Sequence, residues 1–184
     1  MPHNTPLEPW HSFLSEIDEF LSQEVCLHCL GGFVVTELYG LPRPTVDIDT
    51  LAITPDDQSA SLMQKAGRGS ALEKKHKVYL DFVTVCTPPE DYETRLSEMF
   101  PGVYTNLRLL ALDPYDLALA KIGRNNERDR EDVLRLAKKI PFDLDVLKER
   151  YEKELRLYVN QEREDLTLQL WIEMIEEDRQ QESL

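Results

Sequence analysis

Two aspartates, Asp47 and Asp49, interrupt the apolar run of Thr45-Val46-Asp47-Ile48-Asp49. A strand's side-chain period of two sets both on one face, with Val46 and Ile48 on the other. Two carboxylates so placed lie within reach of one cation. Burying such a pair without a counter-charge costs several kcal/mol, so the pattern predicts a metal, a raised pKa or an exposed strand end. A third acid narrows the choice. The run from Lys77 through Val78-Tyr79-Leu80-Asp81-Phe82-Val83-Thr84 to Val85 reads as a nearly continuous buried strand in which Asp81 is the one internal charge. If the two strands are neighbours, three oxygen donors converge, a set suited to Mg²⁺ or Mn²⁺ rather than to a metal that seeks thiolate or imidazole.

The segment upstream offers a place for an anion. Residues 25–30 form a short apolar run, Gly31-Gly32 removes side chains at the turn, and Phe33-Val34-Val35-Thr36-Glu37-Leu38-Tyr39 suits a helix closed by Gly40. A helix start preceded by glycines presents free backbone N–H groups and a positive dipole end, which suits phosphate. Gly31 and Gly32 would let that phosphate approach the backbone.

The remaining elements must hold these pieces in place. Trp10, Phe13, Leu14, Ile17, Phe20 and Leu21 recur at helical spacing after Pro9, which predicts an opening amphipathic helix. Thr54-Pro55-Asp56-Asp57 reads as the start of a helix to about Lys65, broken by Gly67-Arg68-Gly69. Thr87-Pro88-Pro89-Glu90 has the form of a capping box and predicts a helix to about Met99, before Pro101-Gly102 turns the chain. A strand is expected within residues 103–112. Beyond Asp113-Pro114 the pattern is helical, over about 114–124, 127–139, 144–160 and 162–180. The predicted architecture is α+β: a small mixed sheet flanked by helices over residues 1–112, followed by a helical C-terminal region over 113–184.

Composition bounds the function classes. The chain of 184 residues is long enough for one substantial domain with a helical extension, and no apolar stretch approaches the roughly 20 residues that span a bilayer. No membrane association is expected. Met1-Pro2-His3-Asn4-Thr5 lacks a basic region followed by an apolar one, and three cysteines fit a reducing compartment, so a cytoplasmic location is expected. In Cys26-Leu27-His28-Cys29, strand alternation would send the two thiols to opposite faces, which favours buried thiols over a shared zinc. The net charge of −14 argues against a general nucleic-acid surface. Residues 143–184 hold 13 acids against 6 Lys/Arg, whereas Lys65, Arg68, Lys74, Lys75 and Lys77 oppose only Glu73 within 64–77. That basic stretch reads either as a solvated loop or lysine-guarded strand edge, or as a loop facing nucleotide or RNA.

Taken together, Leu30-Gly31-Gly32, Asp47-Ile48-Asp49 and Asp81 in an apolar strand resemble the hydrophobic-Gly-[Gly/Ser], Asp-x-Asp and Asp pattern of the nucleotidyltransferase superfamily, which includes polymerase β and the CCA-adding enzymes. More narrowly, Arg43-Pro44-Thr45-Val46-Asp47-Ile48-Asp49 and the later Leu119-Ala120-Lys121-Ile122-Gly123-Arg124 with Arg128-Asp129-Arg130-Glu131-Asp132 are similar to the AbiEii toxin-type nucleotidyltransferases. The resemblance implies transfer of a nucleoside monophosphate from a nucleoside triphosphate to a hydroxyl acceptor, with RNA or protein favoured as the acceptor. It also implies two Mg²⁺ or Mn²⁺ ions held by Asp47, Asp49 and Asp81, of which Asp81 would serve the ion nearer the attacking hydroxyl. Gly31, Gly32, Arg43, Lys121 and Arg124 would contact the triphosphate, and Lys121 would stabilise the transition state. Each has a plainer reading. The glycines serve as turn punctuation, Lys121 as a solvated lysine, Arg43 as a loop arginine, and Asp129 and Asp132 as salt-bridge residues on a helix surface. A cognate toxin-antitoxin partner is a further implication, as is a non-catalytic member acting only as a binding partner. A glycosyltransferase could also use Asp47-Ile48-Asp49 but has no need of the glycine turn or Asp81.

Overall fold

The computed structural model describes residues 5–182, so residues 1–4, read above for a targeting signal, lie outside it. The described residues form eight α-helices and one five-stranded mixed sheet. The chain divides into two compact units, one running up to Thr84 and resuming over Leu96–Leu112, the other made of Val85–Arg95 and everything from Asp113 onward.

The first unit holds the sheet. Its strand order is β3-β2-β1-β5-β4, with β1 Val25–Leu30, β2 Asp47–Thr54, β3 Tyr79–Phe82, β4 Ser97–Met99 and β5 Leu107–Ala111. The β1/β5 and β2/β3 pairs are parallel, and the β1/β2 and β4/β5 pairs antiparallel. The opening helix, α1 (Trp10–Phe20), buries Trp10, Phe13, Leu14 and Ile17, the face its spacing predicts. Trp10 meets Phe33 edge to face at 4.9 Å between ring centroids. Asp18, near the end of α1, accepts backbone N–H bonds from Thr105, Asn106 and Leu107 at 3.0, 2.6 and 2.8 Å and so anchors the entry to β5. Helix α2 (Gly31–Glu37) leaves β1 without an intervening loop, so Gly31 and Gly32 lie in its first turn and not in a turn before a helix over 33–39.

Several expected elements differ. The strand predicted across 77–85 pairs only from Tyr79 to Phe82, and Asp81 and Phe82 are exposed rather than buried. As the edge strand, β3 has one neighbour and one shielded side; after Val83 donates to Thr50 O at 2.9 Å the chain departs, leaving Val85 95% exposed. No helix spans 87–99. There Glu90 and Asp91 spend their N–H groups on Glu154 O and Oε2, only a 3₁₀ turn forms over Tyr92–Arg95, and Ser97–Met99 pairs with β5 as β4. Long-range bonds override the local capping signal. The basic stretch 64–77 is only in part a loop: it ends α3 (Ser59–Ala66), turns over 67–70, where Gly67 bridges Leu80 of β3, and forms α4 (Ala71–His76), whose Glu73 N–H donates to Ser70 Oγ at 3.1 Å.

The second unit is helical: α5 Pro114–Leu119, α6 Glu127–Lys139, α7 Leu144–Arg150 and α8 Gln161–Glu182. Helix α5 starts at its predicted cap, Asp113 accepting from Asp116 N, but stops five residues early as Lys121 and Ile122 tighten into bonds to Ala118 and Leu119. Helix α7 gives way to a π-helical turn over Tyr151–Leu155 and a 3₁₀ turn over Arg156–Tyr158. Leu117, Leu119, Val133, Leu136, Leu147, Tyr151, Leu155, Trp171 and Ile175 are buried. No helix among the described residues is long and apolar enough to cross a membrane.

Candidate metal and nucleotide site

Strand pairing brings the three acids together. In the parallel β2/β3 ladder Asp49 lies opposite Asp81 and Asp47 opposite Tyr79. One carboxylate oxygen from each of Asp47, Asp49 and Asp81 lies within 4.8 Å of the others, with Asp47 and Asp49 half-buried and Asp81 exposed. Ile48 between them is wholly buried, as its parity predicts, whereas Val46 precedes the strand and is 54% exposed.

Each acid is held differently. Thr45 Oγ1 donates to Asp47 Oδ1 at 2.7 Å, and the Tyr79 hydroxyl donates to Asp47 Oδ2 at 3.4 Å. A bulge at His28/Cys29 in the β1/β2 pairing sets Asp49 opposite Leu30, the residue before Gly31. Gly31 has a φ of +75°, and a Cβ built there would lie 1.9 Å from Asp49 Oδ2. Its missing side chain therefore makes room for the acid. Gly32 is buried against Thr45 and Arg43, whose Oγ1 and Nε lie 3.2 and 3.3 Å from where its Cβ would be. The cluster's charge reaches its neighbours: burial first and then the charge of Asp49 push the Cys29 thiol up, and burial followed by Asp47 raises the Tyr79 phenol.

Lys121 and Arg124 occupy the turn between α5 and α6 in the second unit. Lys121 is buried, its Nζ 2.6 Å from Asp132 Oδ2 and 3.6 Å from Asp129 Oδ1. Arg124 forks onto Asp129 through Nε and Nη2 at 2.7 and 2.6 Å. Asp129 and Asp132 are 1% and 6% exposed, so they are buried partners of these cations and not surface residues. Burial pushes the Asp129 carboxyl up, but the Arg124 hydrogen bonds and the charges of Lys121 and Arg124 outweigh it and hold the group below its ordinary value.

Sequence reasoning missed the approach of Tyr79 to Asp47. Tyr79 precedes Asp81 by two residues, so strand parity alone places it on the acid face. Arg68, whose Nη2 donates to the Tyr79 hydroxyl at 3.0 Å, stands in the sequence only as one cation of the basic stretch, since its approach depends on the turn between α3 and α4.

A family model described as "Nucleotidyltransferase of unknown function (DUF6036)" matches residues 14–179. The chain belongs to this family. Among curated proteins and among solved structures nothing matches it. The DUF6036 match includes the glycine turn, all three acids and the Lys121–Asp132 segment. A divalent metal is what nucleotidyltransferases commonly use, and the donor set fits one: three convergent carboxylates, all hard oxygen ligands, one of them seated where a side chain at residue 31 would exclude it.

Proposed function

We propose that this protein is a metal-dependent nucleotidyltransferase that moves a nucleoside monophosphate from a nucleoside triphosphate to a hydroxyl acceptor. The observation that carries the reading is the convergence of Asp47, Asp49 and Asp81 from two paired strands beside Gly31 and Gly32, which open α2. These three residues would hold Mg²⁺ or Mn²⁺, whose charge, when bound, stabilises the negative charge gathering on the attacking and leaving oxygens. In the transfer, the acceptor oxygen bonds to the α-phosphorus as the bond to pyrophosphate breaks. The hydroxyl proton goes to a carboxylate, and exposed Asp81 is the most accessible of the three. Thr45 and Tyr79 orient Asp47, and Arg43 beside Gly32 supplies positive charge at the start of α2. A triphosphate role for Lys121 and Arg124 requires the phosphates to share these cations with Asp132 and Asp129.

For the acceptor we favour RNA or protein, and a toxin-antitoxin setting, because the Lys121–Asp132 pattern is similar to that of toxin-type enzymes. The test is incubation with each α-³²P nucleoside triphosphate, Mg²⁺ or Mn²⁺, and cellular RNA and protein, with Asp47→Ala/Asp49→Ala as control. Label on RNA or on a polypeptide that the double variant fails to place supports transfer. Equal labelling by the double variant, or none by the wild type, overturns it.

A further inference from the structure

Both carboxylate oxygens of Asp47 accept side-chain hydrogen bonds, and one of these comes from a residue with a partner of its own. The Tyr79 hydroxyl that donates to Asp47 Oδ2 accepts from Arg68 Nη2 at 3.0 Å, while the Arg68 guanidinium sits over the Tyr79 ring, 5.1 Å from its centroid. A guanidinium has donors only, so its bond occupies a lone pair of the phenol oxygen and leaves the phenol proton for the carboxylate. The Tyr79 ring is 6% exposed and fixed by strand register opposite Asp47, which keeps the hydroxyl in place. Arg68 itself is exposed in the turn between α3 and α4. Other cations of the basic stretch are turned elsewhere: Lys65 lies over the Phe20 ring, Lys75 pairs with Glu16, and Lys77 donates to Lys74 O.

We propose that Tyr79 and Arg68 are a positioning pair for Asp47: Arg68 orients the Tyr79 hydroxyl, and Tyr79 with Thr45 fixes the carboxylate plane that faces a divalent cation. The pair acts on metal affinity through Asp47 and does not touch the substrate. This rests on the metal-dependent reading above.

The test measures Mn²⁺ binding to the full chain without nucleotide, by calorimetry and by the electron paramagnetic resonance line shape of the bound ion. Tyr79→Phe keeps the buried ring and removes only the hydroxyl. It is expected to weaken Mn²⁺ binding by about 10-fold, the lower end of what losing a ligand's hydrogen-bond partner costs, and to broaden the bound-ion spectrum. Arg68→Gln is expected to weaken it by a smaller factor, and the double variant to bind no more weakly than Tyr79→Phe alone, because Arg68 works through the phenol. Thermal midpoints without metal report whether each variant is folded. Wild-type affinity and line shape in folded Tyr79→Phe, or additive losses in the double variant, overturn the pair. Should Tyr79→Phe fail to fold, the Arg68→Gln result decides: unchanged binding and line shape overturn the proposal. No Mn²⁺ binding by the wild type overturns the metal-dependent reading and this inference with it, whereas wild-type binding lost in Asp49→Ala but kept in Tyr79→Phe overturns the inference alone.

Discussion

Gly31 has two reasons to be glycine, and they can be separated. Its φ of +75° is left-handed backbone, which costs a residue with a Cβ about 1–2 kcal/mol. The clash of that Cβ with Asp49 Oδ2 adds a steric cost and displaces an acid of the candidate site. Gly31→Ala should therefore lose stability beyond the backbone term and lose Mn²⁺ binding. In an Asp49→Ala background, where Oδ2 and Cγ are gone and only the Cβ at 3.2 Å remains, the same substitution should cost little more than the roughly 1–2 kcal/mol of the backbone. Urea melts of the four proteins check this, and equal costs in both backgrounds would show that Asp49 is not what excludes the methyl group. A sequence shows Gly-Gly as a turn and Asp-x-Asp as a pair, and the parity of Asp47 and Asp49 was legible in that way. That Gly31 makes room for Asp49 was not, because it depends on the bulge that sets Leu30 opposite Asp49. Gly32 behaves differently: Thr45 and Arg43 fill the space beside it, so a valine there must displace both before it can affect a phosphate.

Helix α6 shows how an element can carry both fold and charge. Its cap is reciprocal: Asp129 N–H donates to Asn126 Oδ1 at 2.9 Å, and Asn126 N–H to Asp129 Oδ2 at 3.3 Å. The same Asp129 receives the Arg124 fork, and Asp132 one turn later receives Lys121. Removing the lysine leaves Asp132 buried without that cation, so Lys121→Ala should cost about 3 kcal/mol in a denaturant melt. Loss of transfer activity in that variant becomes interpretable only at temperatures where it is folded. Because the folded Asp129 carboxyl is held below its ordinary value, its contribution is fully present above the unfolded pKa and fades as pH falls through the folded one. Asp129→Asn should accordingly be less stable than wild type near pH 7, with the gap closing as pH drops below about 4. A gap that stays constant down to pH 2 would contradict the ionic account. The extent of α6 was legible because Asn125-Asn126 and Pro141, which flank it, are local breaks in the helical pattern. The segment 87–99 misled because Glu90, Asp91 and Arg95 answer to Glu154 and Asp116, residues far along the chain that no local window contains.

At the scale of the molecule, the chain enters the helical unit twice, first as Val85–Arg95 and then from Asp113 onward. The shorter visit has little regular structure and depends on charge for its attachment. Arg95 forks onto Asp116 through Nε and Nη2 at 2.9 and 3.1 Å and reaches Glu154 at 2.7 Å, while Arg150 meets Asp113 and Asp116 at 2.6 and 2.9 Å. Asp116 is wholly buried at the centre. Arg95→Ala leaves it facing Arg150 and takes from Glu154 its arginine partner, a change expected to cost about 3 kcal/mol. Arg95→Lys should recover little of that loss, because an ammonium cannot make both halves of the fork or reach two carboxylates in fixed geometry. The loss should fall mainly on the segment that carries Arg95. Limited proteolysis under native conditions should then cut within 85–95 in Arg95→Ala and Arg95→Lys well before it cuts the wild type, whereas cleavage at the wild-type rate would mean that the backbone bonds of Glu90 and Asp91 to Glu154 hold the segment unaided.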